Sequence, residues 1–262
     1  MGEVTRAKLL LFDLDGTLLM SDKTISAATL AALNACRARG MLIGVSTSRG
    51  EKNCMDFLPK LTPDIVIASG GALVKYRGEA VYMSAFSPAE AAAMIRTARE
   101  ICGAAVEITI DTPDAHYWNY TVDPLSWDKT WGGSIYTDYS DIPAHPLKIC
   151  VQVFDAGTAA RLKAVFPDCD CARFTGSDWY KFTKKSATKE NAVSHLCKTL
   201  GITPAEIIAF GDDFADIGML ALCGTGVAMG NAIPEVKAAA DVIIGGNDED
   251  GIAAYLTQTV LK

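Results

Sequence analysis

The run Lys8-Leu9-Leu10-Leu11-Phe12 ends abruptly in Asp13-Leu14-Asp15-Gly16-Thr17, and this junction restricts the fold more tightly than any other stretch of the chain. Four consecutive apolar residues suit a strand covered on both faces, the condition of a parallel sheet flanked by helices. A strand of that kind delivers the residues after it to the C-terminal edge of the sheet. Two carboxylates two positions apart are therefore expected in the crevice where open α/β sheets bind ligands. Ser26 to Arg39 has apolar residues at helical spacing with Gly40 as its stop, and MLIGV at 41–45 and DIVIA at 64–68 add two more apolar runs. This β-α-β order predicts an α/β fold with a doubly wound, mostly parallel Rossmann-like sheet.

After about residue 84 the pattern changes. Ser87-Pro88-Ala89-Glu90 carries a capping serine, a first-turn proline and a glutamate three positions after the cap, which predicts a helix to about Cys102. Beyond it, AVEITI at 105–110, HYWNY at 116–120, KICVQVF at 148–154 and DWYKFT at 178–183 read as strands of a separate α+β unit. The α/β rhythm returns with a helix from Lys189 to Leu200, the strand IIAF at 207–210, and further short elements to the end. The expected organisation is a discontinuous α/β core of residues 1–83 and 185–262, interrupted by an α+β insertion at 84–184.

Composition narrows the function. Half of the 262 residues are apolar, enough for a proper core without disulfide support. The eight cysteines are scattered, with no paired CxxC blocks, and are expected to be reduced thiols; Cys169-Asp170-Cys171 has no neighbouring ligand to make it a metal site. A net charge of −7 argues against nucleic acid or an anionic membrane surface as partner, since both call for clustered Lys and Arg. No apolar run approaches the length of a membrane span, and no basic leader precedes the first apolar run, so a cytoplasmic location is expected. A small molecule is the expected partner.

The acidic segment at 13–19 is not a calcium loop, because its twelfth position is Thr24 where such a loop needs glutamate. A second acidic cluster, Gly211-Asp212-Asp213-Phe214-Ala215-Asp216, ends a later strand, and in a parallel sheet both clusters meet at one edge. Carboxylates crowded together repel unless a cation intervenes, and Mg2+ takes hard oxygen ligands of this kind together with a substrate phosphate. Thr47, Arg49 and Lys189 fall at the ends of other segments on the same edge and supply a hydroxyl and two cations. Each alone has a plainer reading, as a turn residue or a solvated side chain. Their convergence on one edge favours a phosphate site. The stretch GTGVAMG at 224–230 follows a helix instead of opening one after a strand, so it lacks the geometry of a dinucleotide loop.

The order DLDGTLL, then Ser46-Thr47-Ser48-Arg49, then Lys189, then GDDFAD, resembles the haloacid dehalogenase (HAD) superfamily. With the insertion after the third strand it resembles the Cof-like phosphatases with a type C2 cap, subclass IIB. The tail segments GVAMGNA at 226–232 and DEDGIAAYL at 248–256 extend the resemblance over nearly the whole chain. It implies that Asp13 is the nucleophile of an aspartyl-phosphate pathway and Asp15 the acid and base. It also implies that Mg2+ is held by the Asp13 carboxylate, the Asp15 carbonyl and the Asp212 carboxylate, that Thr47 and Lys189 bind phosphate, and that Asp216 orients Lys189 or the metal's water shell. The segment 84–184 becomes a cap domain that selects the substrate, with Arg49, Gly71 and Trp118 as candidate substrate contacts and Tyr117, Trp127 and Trp131 as further aromatics. The chain departs from the family pattern at Ser48, Gly70, Glu190 and Ala215; Ala215 stands where the family has a metal-positioning asparagine, and Asp213 is the candidate to compensate. The implied activity is hydrolysis of a small phosphate ester, a sugar phosphate first and a cofactor phosphate such as pyridoxal phosphate next, by a monomer or small homo-oligomer. The alternatives are a phosphomutase of the phosphomannomutase type and a non-catalytic phosphometabolite-binding protein.

Overall fold

The computed structural model describes residues 7–120, 134–174 and 176–262; Trp127 and Trp131 lie outside the described residues. In chain order, β1 (Leu9–Phe12) leads to α1 (Ala27–Ala38), whose first turn is capped by the Ser26 hydroxyl accepting from the Thr29 amide. Next come β2 (Leu42–Ser46), the short α2 (Glu51–Met55), β3 (Ile65–Ala68) and the pair β4 (Leu73–Tyr76) and β5 (Glu79–Met83). Then come α3 (Pro88–Cys102), β6 (Ile108–Asp111), β7 (His116–Trp118), β8 (Ser134–Tyr136), β9 (Lys148–Gln152), α4 (Ala156–Val165), β10 (Cys169–Arg173) and β11 (Trp179–Lys184). The chain closes with α5 (Lys189–Leu200), β12 (Ile207–Gly211), α6 (Ile217–Leu222), β13 (Thr225–Ala228), α7 (Pro234–Ala239), β14 (Val242–Ile243) and α8 (Gly251–Tyr255). No helix among the described residues is long and apolar enough to cross a membrane.

These elements form two compact units. The first comprises the chain up to Arg49, Cys54–Tyr82 and Thr188–Lys262; the second comprises Gly50–Asn53 and Met83–Ala187.

In the first unit one sheet runs in the order β14-β13-β12-β1-β2-β3-β4-β5. The strands from β14 to β3 pair in parallel, and β3 pairs antiparallel with β4. β1 is central, with Phe12 in register with Phe210 on one side and Val45 on the other. All four of its side chains are fully buried, which is why its sequence is unbroken apolar. Each such side chain removed from water contributes about 1.5–3 kcal/mol. The Phe12 and Phe210 rings stack at 4.5 Å, locking the two strands that end in the acidic segments. Because β1, β2, β3 and β12 are parallel, residues 13, 47, 69 and 212 all emerge at one edge.

In the second unit the sheet order is β10-β11-β9-β6-β7-β8. Its pairings are antiparallel except for β7 with β8. The helix α3 opens with the reciprocal Ser87 and Glu90 bonds that its sequence predicts. It lays Ala91, Met94, Ile95 and Ala98 into a core with Ile108, Ile110, Ile149, Val151 and Phe182. Three elements here escape sequence reading: β8, α4 and β10. Cys169 to Arg173 alternates only weakly and pairs with a single strand, and α4 is alanine-rich with few large apolar residues to mark a face. All eight cysteines are free thiols.

Candidate active site

The first carboxylate loop is built by its own backbone. The Asp13 amide continues the sheet by donating to the Phe210 carbonyl at 3.0 Å, and the Leu18 and Leu19 amides fold back to the carbonyls of Asp13 and Leu14 at 3.1 and 2.8 Å. Gly16 turns the chain at φ +82°, and a Cβ there would stand 2.4 Å from Asp212 Oδ2. Glycine is thus required twice, for the dihedral and for the approach of the second carboxylate. Thr17, buried beside it, donates its hydroxyl to Asp212 Oδ1 at 2.6 Å and joins the two loops directly.

The second loop turns on Asp216, which is 1% exposed. Its Oδ2 accepts from the amides of Asp212 and Asp213 at 3.0 and 3.1 Å, and its Oδ1 accepts from Lys189 Nζ at 2.6 Å. Lys189 opens α5 just after the capping Thr188. Its ammonium also reaches Asp13 Oδ1 at 2.6 Å and the Ser46 carbonyl at 2.8 Å, so all three of its protons are directed at acceptors. Gly71 lies against this helix start, where a Cβ would fall 2.2 Å from the Thr188 carbonyl oxygen.

Thr47 is buried at the end of β2; its amide donates to the Ile67 carbonyl and its hydroxyl accepts from the Arg49 amide at 3.1 Å. Arg49 stacks on Phe57 at 4.5 Å and grips Asp15 with two donors, Nε to Oδ2 at 2.6 Å and Nη2 to Oδ1 at 2.9 Å. Lys23, at φ +65°, adds a third donor to Asp15 Oδ1 at 2.7 Å. Asp213 accepts from the Phe214 amide at the start of a short turn. Trp118 belongs to the second unit, where it lies beside the rings of His116 and Tyr120. Asp13, Asp15, Thr47, Arg49, Lys189, Asp212 and Asp216 are thus brought together in the first unit. Thr17, Lys23 and Asn231 are additional to the residues that sequence reasoning selected. Thr17 sits inside the DLDGT motif, and Asn231 inside the GNA segment, so motif membership is the signal that points to them.

The electrostatics arise from this packing. Burial, reinforced by the charges of Asp216 and Asp212, pushes the Asp13 carboxyl well above its ordinary range against the pull of Lys189. Burial raises Asp212 to about 6, with the Thr17 bond opposing it. Burial alone would lower Lys189, but Asp13 and Asp216 outweigh it and keep the ammonium charged. Burial likewise works to raise Asp15, yet the bonds and charges of Arg49 and Lys23 bring it down to about 2. Asp13, Asp212 and Asp216 thus share a single ammonium, and burial disfavours the charged forms of Asp13 and Asp212 unless a further cation joins them. Carboxylate oxygens of Asp13, Asp212 and Asp216 lie within 4.8 Å of one another. Both oxygens of Asp216 are engaged by Lys189 and backbone amides, which leaves Asp13 and Asp212 as the better donors. This hard-oxygen set fits a divalent cation of the magnesium kind.

Residues 10–256 match the family model described as haloacid dehalogenase-like hydrolase. An HMP-PP phosphatase from Cronobacter sakazakii is 31% identical over 262 residues, spanning 96% of this chain and 95% of that protein. Among solved structures, a haloacid dehalogenase-like hydrolase from Bacteroides thetaiotaomicron superposes with a TM-score of 0.85 at 24% identity, covering 97% of this chain and 99% of that one. A HAD subclass IIB sugar phosphatase superposes with a TM-score of 0.79 at 23% identity, covering 98% and 100%.

Proposed function

We propose that this chain, which belongs to the haloacid dehalogenase-like hydrolase family, is a magnesium-dependent phosphatase that hydrolyses a small phosphate ester through Asp13. The observation that carries the reading is the ammonium of Lys189 held between Asp13 and Asp216, each at 2.6 Å, in a buried pocket of carboxylates. Lys189 aligns Asp13 Oδ1 and fixes its orientation, while the Asp13 carboxylate attacks phosphorus and the ester oxygen departs with its electron pair. The aspartyl-phosphate formed is then cleaved by water.

Asp15 is the group placed two residues from the nucleophile to give a proton to the leaving oxygen and later take one from water. In the resting arrangement it is a carboxylate, because Arg49 and Lys23 stabilise its charge. A substrate phosphate that draws these cations toward itself removes that stabilisation, so substrate binding itself prepares Asp15 to hold a proton. Thr47 and Lys189 are the phosphate-binding groups. Magnesium would be held by the carboxylates of Asp13 and Asp212 and the Asp15 carbonyl, with Asp216 and Asp213 beside them. When bound, it neutralises charge on the transferring group. The second unit, with Trp118, serves as the cap that selects the leaving group.

Substrates are a sugar phosphate first and a cofactor phosphate such as pyridoxal phosphate next, and the name of the Cronobacter relative adds HMP-PP to the set to be tried. The test is phosphate release from a panel of these compounds with magnesium or chelator, comparing the native chain with Asp13→Asn. Magnesium-dependent release that the substitution abolishes is expected. A folded protein that binds magnesium and releases no phosphate from any member would overturn the reading.

A further inference from the structure

Two segments near the C-terminus, Gly230-Asn231-Ala232 and Asn247-Asp248-Glu249-Asp250, do no part of the chemistry above, yet four of their side chains, Asn231, Asn247, Asp248 and Asp250, bond to residues 16–26 after the first carboxylate pair. Asn231 is exposed, so packing does not explain it. Its side-chain amide donates to the Gly16 carbonyl at 2.7 Å, and its Oδ1 accepts from the Asn247 amide at 3.0 Å. Asn247 in turn donates its side-chain amide to the Leu19 carbonyl at 2.9 Å. Asp248 accepts from the amide and hydroxyl of Ser21 at 2.8 and 2.6 Å, and Asp250 accepts from the Ser26 hydroxyl. The loop that carries Asp13, Asp15 and Lys23 is thereby tied at Gly16, Leu19, Ser21 and Ser26.

The same short segment also holds the other loop. The Met229 amide donates to the Gly211 carbonyl at 3.1 Å, and the Ile233 amide donates to the Asp212 carbonyl at 3.1 Å. Residues 229 to 233 therefore bond to Gly16 of the first loop on one side and to the backbone of Gly211 and Asp212 on the other. This link adds to the ties already described, the Asp13 amide on the Phe210 carbonyl, Lys189 between Asp13 and Asp216, and the Thr17 hydroxyl on Asp212, and joins the two loops beyond the strand ends. Gly16 leaves no tolerance there, since Asp212 Oδ2 already fills the place of its missing Cβ.

We propose that Asn231 is a positioning residue: its side-chain amide, acting through the Gly16 carbonyl, sets the spacing between the Asp13 and Asp212 loops and so the geometry of the cation site. Groups of this kind act through others that touch the metal, and their removal characteristically lowers metal affinity or turnover without unfolding the protein. Asn231 would contribute by keeping the two carboxylates at their spacing before the cation arrives. This role rests on the phosphatase reading for its effect on turnover, but not for its effect on the loop.

The test uses the full chain with Asn231→Ala and Asn231→Asp. Hydrogen exchange of the metal-free protein is expected to show the Leu18 and Leu19 amides opening about fivefold faster in Asn231→Ala, with the sheet amides unchanged. Magnesium affinity, read by calorimetry without substrate, is expected to fall about tenfold, and kcat by a similar factor with KM changed less than threefold. Asn231→Asp keeps the acceptor for Asn247 and loses the donor to Gly16, so it is expected to lose at least as much as the alanine variant. Unchanged exchange in Asn231→Ala overturns the proposal, as does full magnesium affinity and kcat in Asn231→Asp. If the native chain neither binds magnesium nor releases phosphate while the exchange result holds, the phosphatase reading falls and the tie between Asn231 and the loop stands.

Discussion

Lys189 and Asp13 stand 176 positions apart in the chain and 2.6 Å apart in the fold, with the ammonium of one on Oδ1 of the other. The pair is buried and completed by Asp216. Lys189→Met removes the one cation of this cluster and leaves buried carboxylates uncompensated, a loss of about 3–5 kcal/mol. Thermal unfolding in chelator should show it, and magnesium should restore part of the loss. Turnover should fall by about 10²–10³-fold, and Lys189→Arg should not recover it, because a planar fork cannot direct three donors into this pocket.

In the proposed reaction Asp15 transfers the proton in both halves. Asp15→Thr should lower turnover by about 10²–10⁴-fold. After a pulse of substrate, intact-mass measurement should find one added phosphoryl group that hydroxylamine removes. An Asp15→Thr protein that carries no phosphoryl group at any time would separate Asp15 from breakdown of the intermediate.

Gly71 has φ +101°, and the Thr188 carbonyl oxygen occupies the space of its missing side chain. Gly71→Ala should destabilise the chain by about 1–3 kcal/mol from the dihedral alone, with the clash added. Because Thr188 caps the helix that begins with Lys189, turnover should fall more than stability explains. A denaturant melt paired with kcat checks both.

The second unit contains its own buried ion pair. Asp111 lies 2.6 Å from Lys148 Nζ and 2.5 Å from His116 Nδ1, with Asp111 and Lys148 each 4% exposed. Burial opposes the charge of Asp111, yet Lys148 and then His116 outweigh it and hold the carboxyl well below its usual range. A carboxylate with a depressed folded pKa stabilises fully above its unfolded value near 4, and that stability is lost as pH falls through the folded value. Unfolding of this unit should therefore steepen below about pH 4. Asp111→Asn should reduce the acid sensitivity and cost about 3–5 kcal/mol at neutral pH, measured by circular dichroism across a pH series.

The centre of the first unit's sheet is legible because its middle strands are buried on both faces and must be apolar throughout: Leu9 to Phe12 and Ile207 to Phe210 need no partner to be recognised. The motif residues are legible for a related reason, since a parallel sheet sends the ends of its strands to one edge. In the second unit Ile108 to Asp111 and Trp179 to Lys184 show as strands, whereas Cys169 to Arg173 does not, because a polar strand paired on one side only carries little periodic signal.

The sequence alone determined which chemistry was present, namely two acidic loops, a lysine at a helix start and a threonine after a strand, because residue identity and local backbone order are written there. Only the tertiary structure decided how those groups share charge. Lys189 with Asp13 and Asp216, Arg49 and Lys23 with Asp15, Thr17 with Asp212, and Asn231 with Gly16 are contacts between residues from 8 to 215 positions apart. Hydrogen bonding and desolvation act over ångströms in space, and the folded backbone alone brings those atoms within reach.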